Sequence, residues 1–172
     1  MTAYLDNSAT TPVCSEAVEA IKTAVTELWG NPSSLHQKGI EADKMLENAR
    51  SNVARRLFCR DDEVYFTSGG TESNNLAVQG AAHAMRRRGR RIVTTSVEHP
   101  SIDETVKHLE NEGFEVIRLG VDKNGRISER ELFEAVTPDT ILVSIMAVNN
   151  ETGTIQPVEA ARTAVTRAKS PA

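Results

Sequence analysis

Aromatic side chains are scarce. Phe, Trp and Tyr make up 4% of the 172 residues, so the core has to rest on Ala, Val, Ile and Leu. Cysteine is scarcer: Cys14 and Cys59 are too few for a disulfide scaffold or a structural zinc site. No apolar run approaches the ~20 residues that span a bilayer. The opening Met1-Thr2-Ala3-Tyr4-Leu5-Asp6 has neither the basic nor the apolar stretch of a secretory leader. These absences predict a cytoplasmic chain with no membrane partner and two ordinary thiols. Neither sign of charge dominates, since 20 Lys and Arg stand against 24 Asp and Glu for a net −4. That argues against direct nucleic-acid binding by bulk charge. There is no internal repeat and no low-complexity segment, and only Lys169-Ser170-Pro171-Ala172 reads as a loose tail. What is present, 39% hydrophobic and 26% charged residues, is the composition of one folded domain of ordinary size.

Periodicity divides the chain into alternating elements. Ser15 to Leu28 is predicted helical, with Val18, Ile21 and Val25 on one face and Gly30-Asn31-Pro32 as the stop. Ser34 to Phe58 is a longer helical stretch, with Ile40, Met45, Leu46, Val53 and Leu57 in its stripe. Glu63 to Thr67 reads as a strand and Thr71 to Arg88 as a helix closed by Gly89. Ile92 to Thr95 is a strand, Ser101 to Glu112 a helix and Phe114 to Leu119 a strand. Asp122-Lys123-Asn124-Gly125 is a turn. Glu129 to Val136 is a short helix, Thr140 to Met146 a buried strand and Pro157 to Ala168 the last helix. Strands alternating with helices imply parallel pairing, hence an α/β fold with helices on both sheet faces. Ligands in such sheets lie beyond the C-terminal strand ends. That directs attention to the loops near Gly70, His99 and Asn150.

Three motifs occupy those loops. Thr67-Ser68-Gly69-Gly70-Thr71-Glu72-Ser73-Asn74-Asn75 joins strand to helix with two glycines and several hydroxyls. It is either a phosphate cradle at a helix N-terminus or a merely capped turn. It is neither a Walker A loop nor a dinucleotide fingerprint, because both patterns are absent. Glu98-His99-Pro100-Ser101 places an imidazole that could stack on a flat ring or relay a proton. The bland alternative is a histidine at a helix start, with Ser101 as the cap. Asn149-Asn150-Glu151-Thr152-Gly153 is a donor–acceptor pair or simply a turn.

Other features read as structural. Asp122 to Glu131 has some calcium-loop spacing, but Gly120 would stand at the first ligand position, so the turn reading is preferred. Arg86-Arg87-Arg88-Gly89-Arg90-Arg91 reads as a solvated helix C-terminus rather than a binding patch. Cys14 and Cys59 lie at a helix start and a helix end with no His nearby, and read as structural.

Taken together the motifs resemble those of the cysteine desulfurases, pyridoxal-phosphate enzymes of the class V aminotransferase group. The carriers are Tyr4-Leu5-Asp6-Asn7-Ser8-Ala9-Thr10-Thr11-Pro12, Gly30-Asn31-Pro32-Ser33-Ser34 with His36, the Thr67–Asn75 and Glu98-His99 motifs, and Asn149 to Gly153. They run from Tyr4 to about Val158, and their form is closer to the nitrogenase-associated and iron–sulfur-assembly branch than to selenocysteine-lyase-like relatives. The resemblance implies an arm and helix over residues 1–30 and an incomplete cofactor-binding large domain of fold type I over residues 31–172. By position, Gly70 and Thr71 would bind the phosphate of pyridoxal 5'-phosphate. His99 would stack on its ring and take part in acid–base steps, and Asn150 would bond near its ring oxygen. Ala9, Thr10 and Asn31 would lie near the L-cysteine substrate. The activity implied is conversion of L-cysteine to L-alanine, with sulfur passing through an enzyme persulfide to an iron–sulfur scaffold, tRNA thiolation or another sulfur acceptor. The implied assembly is a homodimer.

The resemblance also shows what these residues lack. The family lysine lies in a Ser-Gly-His-Lys type motif, and none of Lys22, Lys38, Lys44, Lys107, Lys123 and Lys169 follows a His. The aspartate that pairs with the pyridine nitrogen and the mobile cysteine are unmatched too. In the family, later strands lie between the strand before the phosphate loop and the other three. The expectation is therefore a chain that is inactive and poorly stable alone. The alternative is a non-catalytic fragment that binds a phosphate ligand or docks with another chain.

Overall fold

A computed structural model describes residues 3–169; the predicted tail at Ser170-Pro171-Ala172 lies outside the described residues. These form two compact units, divided after Phe66.

The first unit holds α1 (Ser15–Thr26), α2 (Gln37–Leu57) and a 3-10 turn at Asp61–Glu63. Cys14 stands at the N-cap of α1 without a side-chain capping bond, and α1 has no buried residue. The imidazole of His36 caps α2 by accepting from the Gly39 amide at 3.3 Å. The segment before α2 folds back tightly. A Cβ at Gly30 would lie 2.1 Å from the Lys38 carbonyl oxygen, and one at Gly39 2.1 Å from that of Ser34. Only glycine fits either place. α2 closes through Phe58, whose φ of 55° puts a bulky residue in the left-handed region.

The strand predicted at Glu63 to Thr67 does not form. Asp61–Glu63 takes the 3-10 turn and Val64 is extended (φ −101°, ψ 120°), but no described segment pairs with it. An extended segment becomes a strand only through ladder hydrogen bonds. The Val64 carbonyl accepts instead from the Arg50 guanidinium, which also lies 5.0 Å over the Phe66 ring.

The second unit is the α/β domain that the alternation predicted. It comprises α3 (Gly70–Met85), β1 (Arg91–Thr95), α4 (Pro100–Asn111), β2 (Glu115–Leu119), α5 (Glu129–Ala135), β3 (Thr140–Val143) and α6 (Val158–Lys169). The strands are parallel in the order β2-β1-β3, with Ile92 opposite Val116 and Leu142. Successive side chains of β1 enter opposite layers. Ile92 packs with Val78, Ala82, Ile102, Val106, Leu109 and Phe114 on the α3–α4 side. Val93 packs with Leu119, Ile127, Leu132, Val136 and Ala164 on the α5–α6 side. Each fully buried aliphatic side chain contributes about 1.5–3 kcal/mol.

Two boundaries shift for local reasons. α3 ends at Met85 rather than Arg88. The Arg86 and Arg90 guanidiniums then lie 5.9 and 5.8 Å over the Phe114 ring, and a Cβ at Gly89 would lie 2.2 Å from the Asp139 carbonyl oxygen. β3 stops at Val143 rather than Met146, because the Met146 amide donates to the Glu98 carboxylate instead of to a strand. The turn at Asp122 is as expected. Its carboxylate accepts from the Asn124 and Arg126 amides at 2.8 and 3.0 Å, and Gly125 has φ +77°. Among the described residues no cluster of His, Cys, Asp and Glu could hold a metal ion. No helix among them is long and apolar enough to cross a membrane.

Candidate functional site

The first turn of α3 begins at Gly70, after an N-cap, Gly69, that has no side chain to offer. The Ser73 amide reaches the Gly69 carbonyl. The amides of Gly70, Thr71 and Glu72 have no hydrogen-bond acceptor among the described residues. A Cβ at Gly69 or Gly70 would meet nothing within 4 Å, so the approach to these amides is open. Thr67 and Ser73 hydroxyls lie 2.7 Å apart beside it. Glu72 is turned away to the loop backbone: its carboxylate accepts from the Ser68 amide at 2.6 Å and the Ser68 hydroxyl at 2.5 Å. Those two bonds, the hydroxyl first, hold its carboxyl below the usual range. The result is an anion-seeking helix end, with free donors and the positive end of the dipole.

His99 follows β1 and is itself the N-cap of α4, with Pro100 at the first helical position. The expectation that Ser101 would cap the helix is corrected. His99 Nδ1 accepts from the Ser101 amide at 3.1 Å and lies 2.8 Å from the Ser101 hydroxyl. That hydroxyl accepts from Asn74 Nδ2 at 2.8 Å. The first turn of α3 and the start of α4 are thereby tied through Asn74, Ser101 and His99. Behind them Asn75 accepts from the Thr105 hydroxyl at 2.8 Å.

The third loop is clamped to the second. Glu98 Oε1 accepts from the Thr95 hydroxyl at 2.9 Å and the Met146 amide at 2.7 Å. Burial raises the Glu98 carboxyl above its ordinary value, against the lowering effect of the Met146 and Thr95 bonds. Asn149 donates to the Val97 carbonyl at 3.2 Å and accepts from the amides of Glu151 and Thr152 at 3.0 and 2.9 Å. The two adjacent amides of the sequence therefore divide. Asn149 is buried and shapes the loop, while Asn150 is exposed at its tip.

Gly70, Thr71, His99 and Asn150 thus belong to one unit, on loops linked beyond the C-terminal end of β1. Ala9, Thr10 and Asn31 belong to the other unit. The Ala9 and Thr10 amides donate to the Asp6 carbonyl at 3.2 and 3.4 Å, and Asn31 Oδ1 accepts from the Ser33 amide at 2.9 Å. Cys14 is exposed and Cys59 partly so. The sequence reading missed Asn74 and Ser101 as partners of His99, and Glu98 and Asn149 as clamps. One signal was available for Glu98, a carboxylate directly after a buried strand.

The second unit is therefore a parallel α/β domain with an uncapped, glycine-opened helix terminus tied to a histidine that follows β1. The chain belongs to the aminotransferase class-V family, which it matches over residues 3–170. It is 54% identical over 156 residues to a NifS/IcsS protein homolog of Lactobacillus delbrueckii subsp. bulgaricus, covering 91% of this chain and 40% of that protein. It is 50% identical over 156 residues to the cysteine desulfurase IscS of Methanosarcina thermophila, covering 91% and 39%. A solved NifS-like protein superposes with a TM-score of 0.91 at 43% identity, over 98% of this chain and 46% of that one. A structure described as SspA in complex with cysteine superposes with a TM-score of 0.87 at 35% identity, over 99% and 49%. The chain thus spans about two-fifths of the length of these curated relatives.

Proposed function

We propose that this chain carries the phosphate- and ring-facing residues of a cysteine desulfurase that converts L-cysteine to L-alanine and passes the sulfur to an acceptor. The observation that carries the reading is the open first turn of α3, joined through Asn74 and Ser101 to His99. The donor set fits the phosphate of pyridoxal 5'-phosphate, with uncapped amides at Gly70 and Thr71, the Thr71 hydroxyl and no side chain in the approach. Gly70 and Thr71 hold that phosphate, His99 covers the ring and Asn150 bonds to its edge. Ala9, Thr10 and Asn31 serve the substrate side. When bound, the cofactor supplies the electron sink, and the protein supplies binding, orientation and charge. Relatives bearing the desulfurase name, and a neighbour solved with cysteine, support the substrate. The finer reading is a cytoplasmic homodimer that feeds an iron–sulfur scaffold or another sulfur acceptor.

The 172 residues by themselves are inactive in this reading, because none of their six lysines follows a histidine and no cysteine stands in a family position. They also leave both edges of the β2-β1-β3 sheet unpaired among the described residues, which favours self-association. The test is equilibrium dialysis of the chain against pyridoxal 5'-phosphate and against pyridoxal, with an alanine assay alongside. The expected result is retention of the phosphorylated compound only, no alanine, and roughly tenfold weaker retention by Thr71→Ala. Equal retention of both compounds, or of neither, overturns the site. Alanine formation overturns the inactivity.

A further inference from the structure

The bond between His99 Nδ1 and the Ser101 amide has a consequence for the ring itself. A backbone N–H can only donate, so the nitrogen that accepts from it at 3.1 Å bears no proton. In the neutral ring the proton is then on Nε2, which has no partner among the described residues. The Ser101 hydroxyl faces the same nitrogen at 2.8 Å and accepts from Asn74 Nδ2 at 2.8 Å. Asn74 engages one of the hydroxyl's two lone pairs, and because the unprotonated Nδ1 cannot donate, the hydroxyl directs its own proton to it. Ser101 is buried at 7% exposure, so water competes poorly for either bond.

We propose that Asn74 and Ser101 are positioning residues that hold His99 in a single tautomer, with Nδ1 as a doubly bonded acceptor and Nε2 as the proton-bearing atom. The chain of donors runs from Asn74 Nδ2 to Ser101 Oγ to His99 Nδ1. It begins on the helix whose first turn holds the anion and ends on the ring. The imidazole is fixed at one nitrogen while its exposed nitrogen offers an N–H. The inference rests on the desulfurase reading for its use in catalysis, but not for its existence. The tautomer is a property of these three residues with no ligand bound.

The experiment is long-range 15N–1H correlation NMR on the uniformly labelled chain, at a pH where the ring is neutral. The expected spectrum has His99 Nδ1 at an unprotonated shift and Nε2 at a protonated one, with no averaging between tautomers. In Ser101→Ala the Nδ1 resonance moves toward that of an unbonded ring nitrogen, and Ser101→Thr restores it. Asn74→Asp produces the same movement with Ser101 intact, since a carboxylate takes the hydroxyl proton away from Nδ1. A wild-type ring protonated at Nδ1 or averaged between tautomers overturns the proposal, as does an Nδ1 resonance unmoved by Ser101→Ala. The wild-type spectrum decides the matter even if a variant fails to fold. A chain with the expected spectrum that retains no pyridoxal 5'-phosphate would refute the functional reading and leave this one standing.

Discussion

The two units use the same kind of sequence and reach opposite results. Up to Phe66, the buried apolar residues are Ala42, Ala54 and Val64, while sixteen large hydrophobic side chains are exposed among the described residues. From Thr67 onward thirteen are buried and five exposed. The helices of both units carry apolar stripes at helical spacing. In α3 and α4 the stripes close on β1 from one side. In α1 Val18, Ile21 and Val25 stay in solvent, at 47%, 56% and 66% exposure. Periodicity thus specifies which face a helix would bury, whereas burial needs a second surface.

The largest effect expected to sharpen this contrast is in the second unit. Leu109→Ala or Leu132→Ala, both at 0% exposure, is expected to cost about 2–5 kcal/mol in denaturant unfolding. Comparable losses from Ile21→Ala would break the comparison. Next comes Ser128→Ala, which removes the oxygen that accepts from the Glu131 amide at the start of α5 and is expected to cost about 1 kcal/mol.

A pH effect follows. The Glu98 carboxyl is raised in the folded chain, so between its ordinary value of 4.5 and its higher folded value the folded state binds more protons. Glu98 therefore makes stability fall as pH rises through that window and has no effect below it. The same carboxylate oxygen takes both bonds, so Glu98→Gln keeps them and should remove the fall. Unfolding curves of the two proteins from pH 4 upward check this, and parallel profiles would refute it. Asp103 and Glu110 act oppositely. Lys107 chiefly lowers the first and Arg118 the second, so their contribution is present above 3.8 and 4.5 and is lost as pH falls through their depressed values. The smallest effects are two. Ile21→Ala is expected within about 0.5 kcal/mol. Gly70→Ala is expected to gain up to about 1 kcal/mol of helix stability, read by melting, while weakening phosphate retention by filling the open approach.

Much of the fold was legible because helices and buried strands leave local patterns. Every α-helix among the described residues and three of the four predicted strands were anticipated to within a few residues, while the 3-10 turn at Asp61–Glu63 was not. The failure at Glu63 to Thr67 is instructive. Its residues suit a strand, but a strand is a relation between segments. The site was legible to the same depth. Two glycines before a helix and a histidine after a strand can be read directly. That Asn149 shapes the loop while Asn150 occupies its tip cannot, since adjacent identical residues differ only in what surrounds them. Asn74 and Ser101 are 27 residues apart and meet only because α3 packs on α4.

Local chemistry therefore settled which segments are helical, where a glycine-rich helix start lies and which family the motifs resemble. Backbone sterics and side-chain periodicity act over a few residues and need no partner. The folded arrangement decided which apolar stripes are covered and which nitrogen of His99 carries the proton. It also decided which asparagine is buried in its loop and which is exposed at the tip, and why the carboxylate of Glu98 is raised. Each of these depends on desolvation and hydrogen bonding between residues far apart in the chain, and they acquire values only once β1, α3 and α4 are packed together.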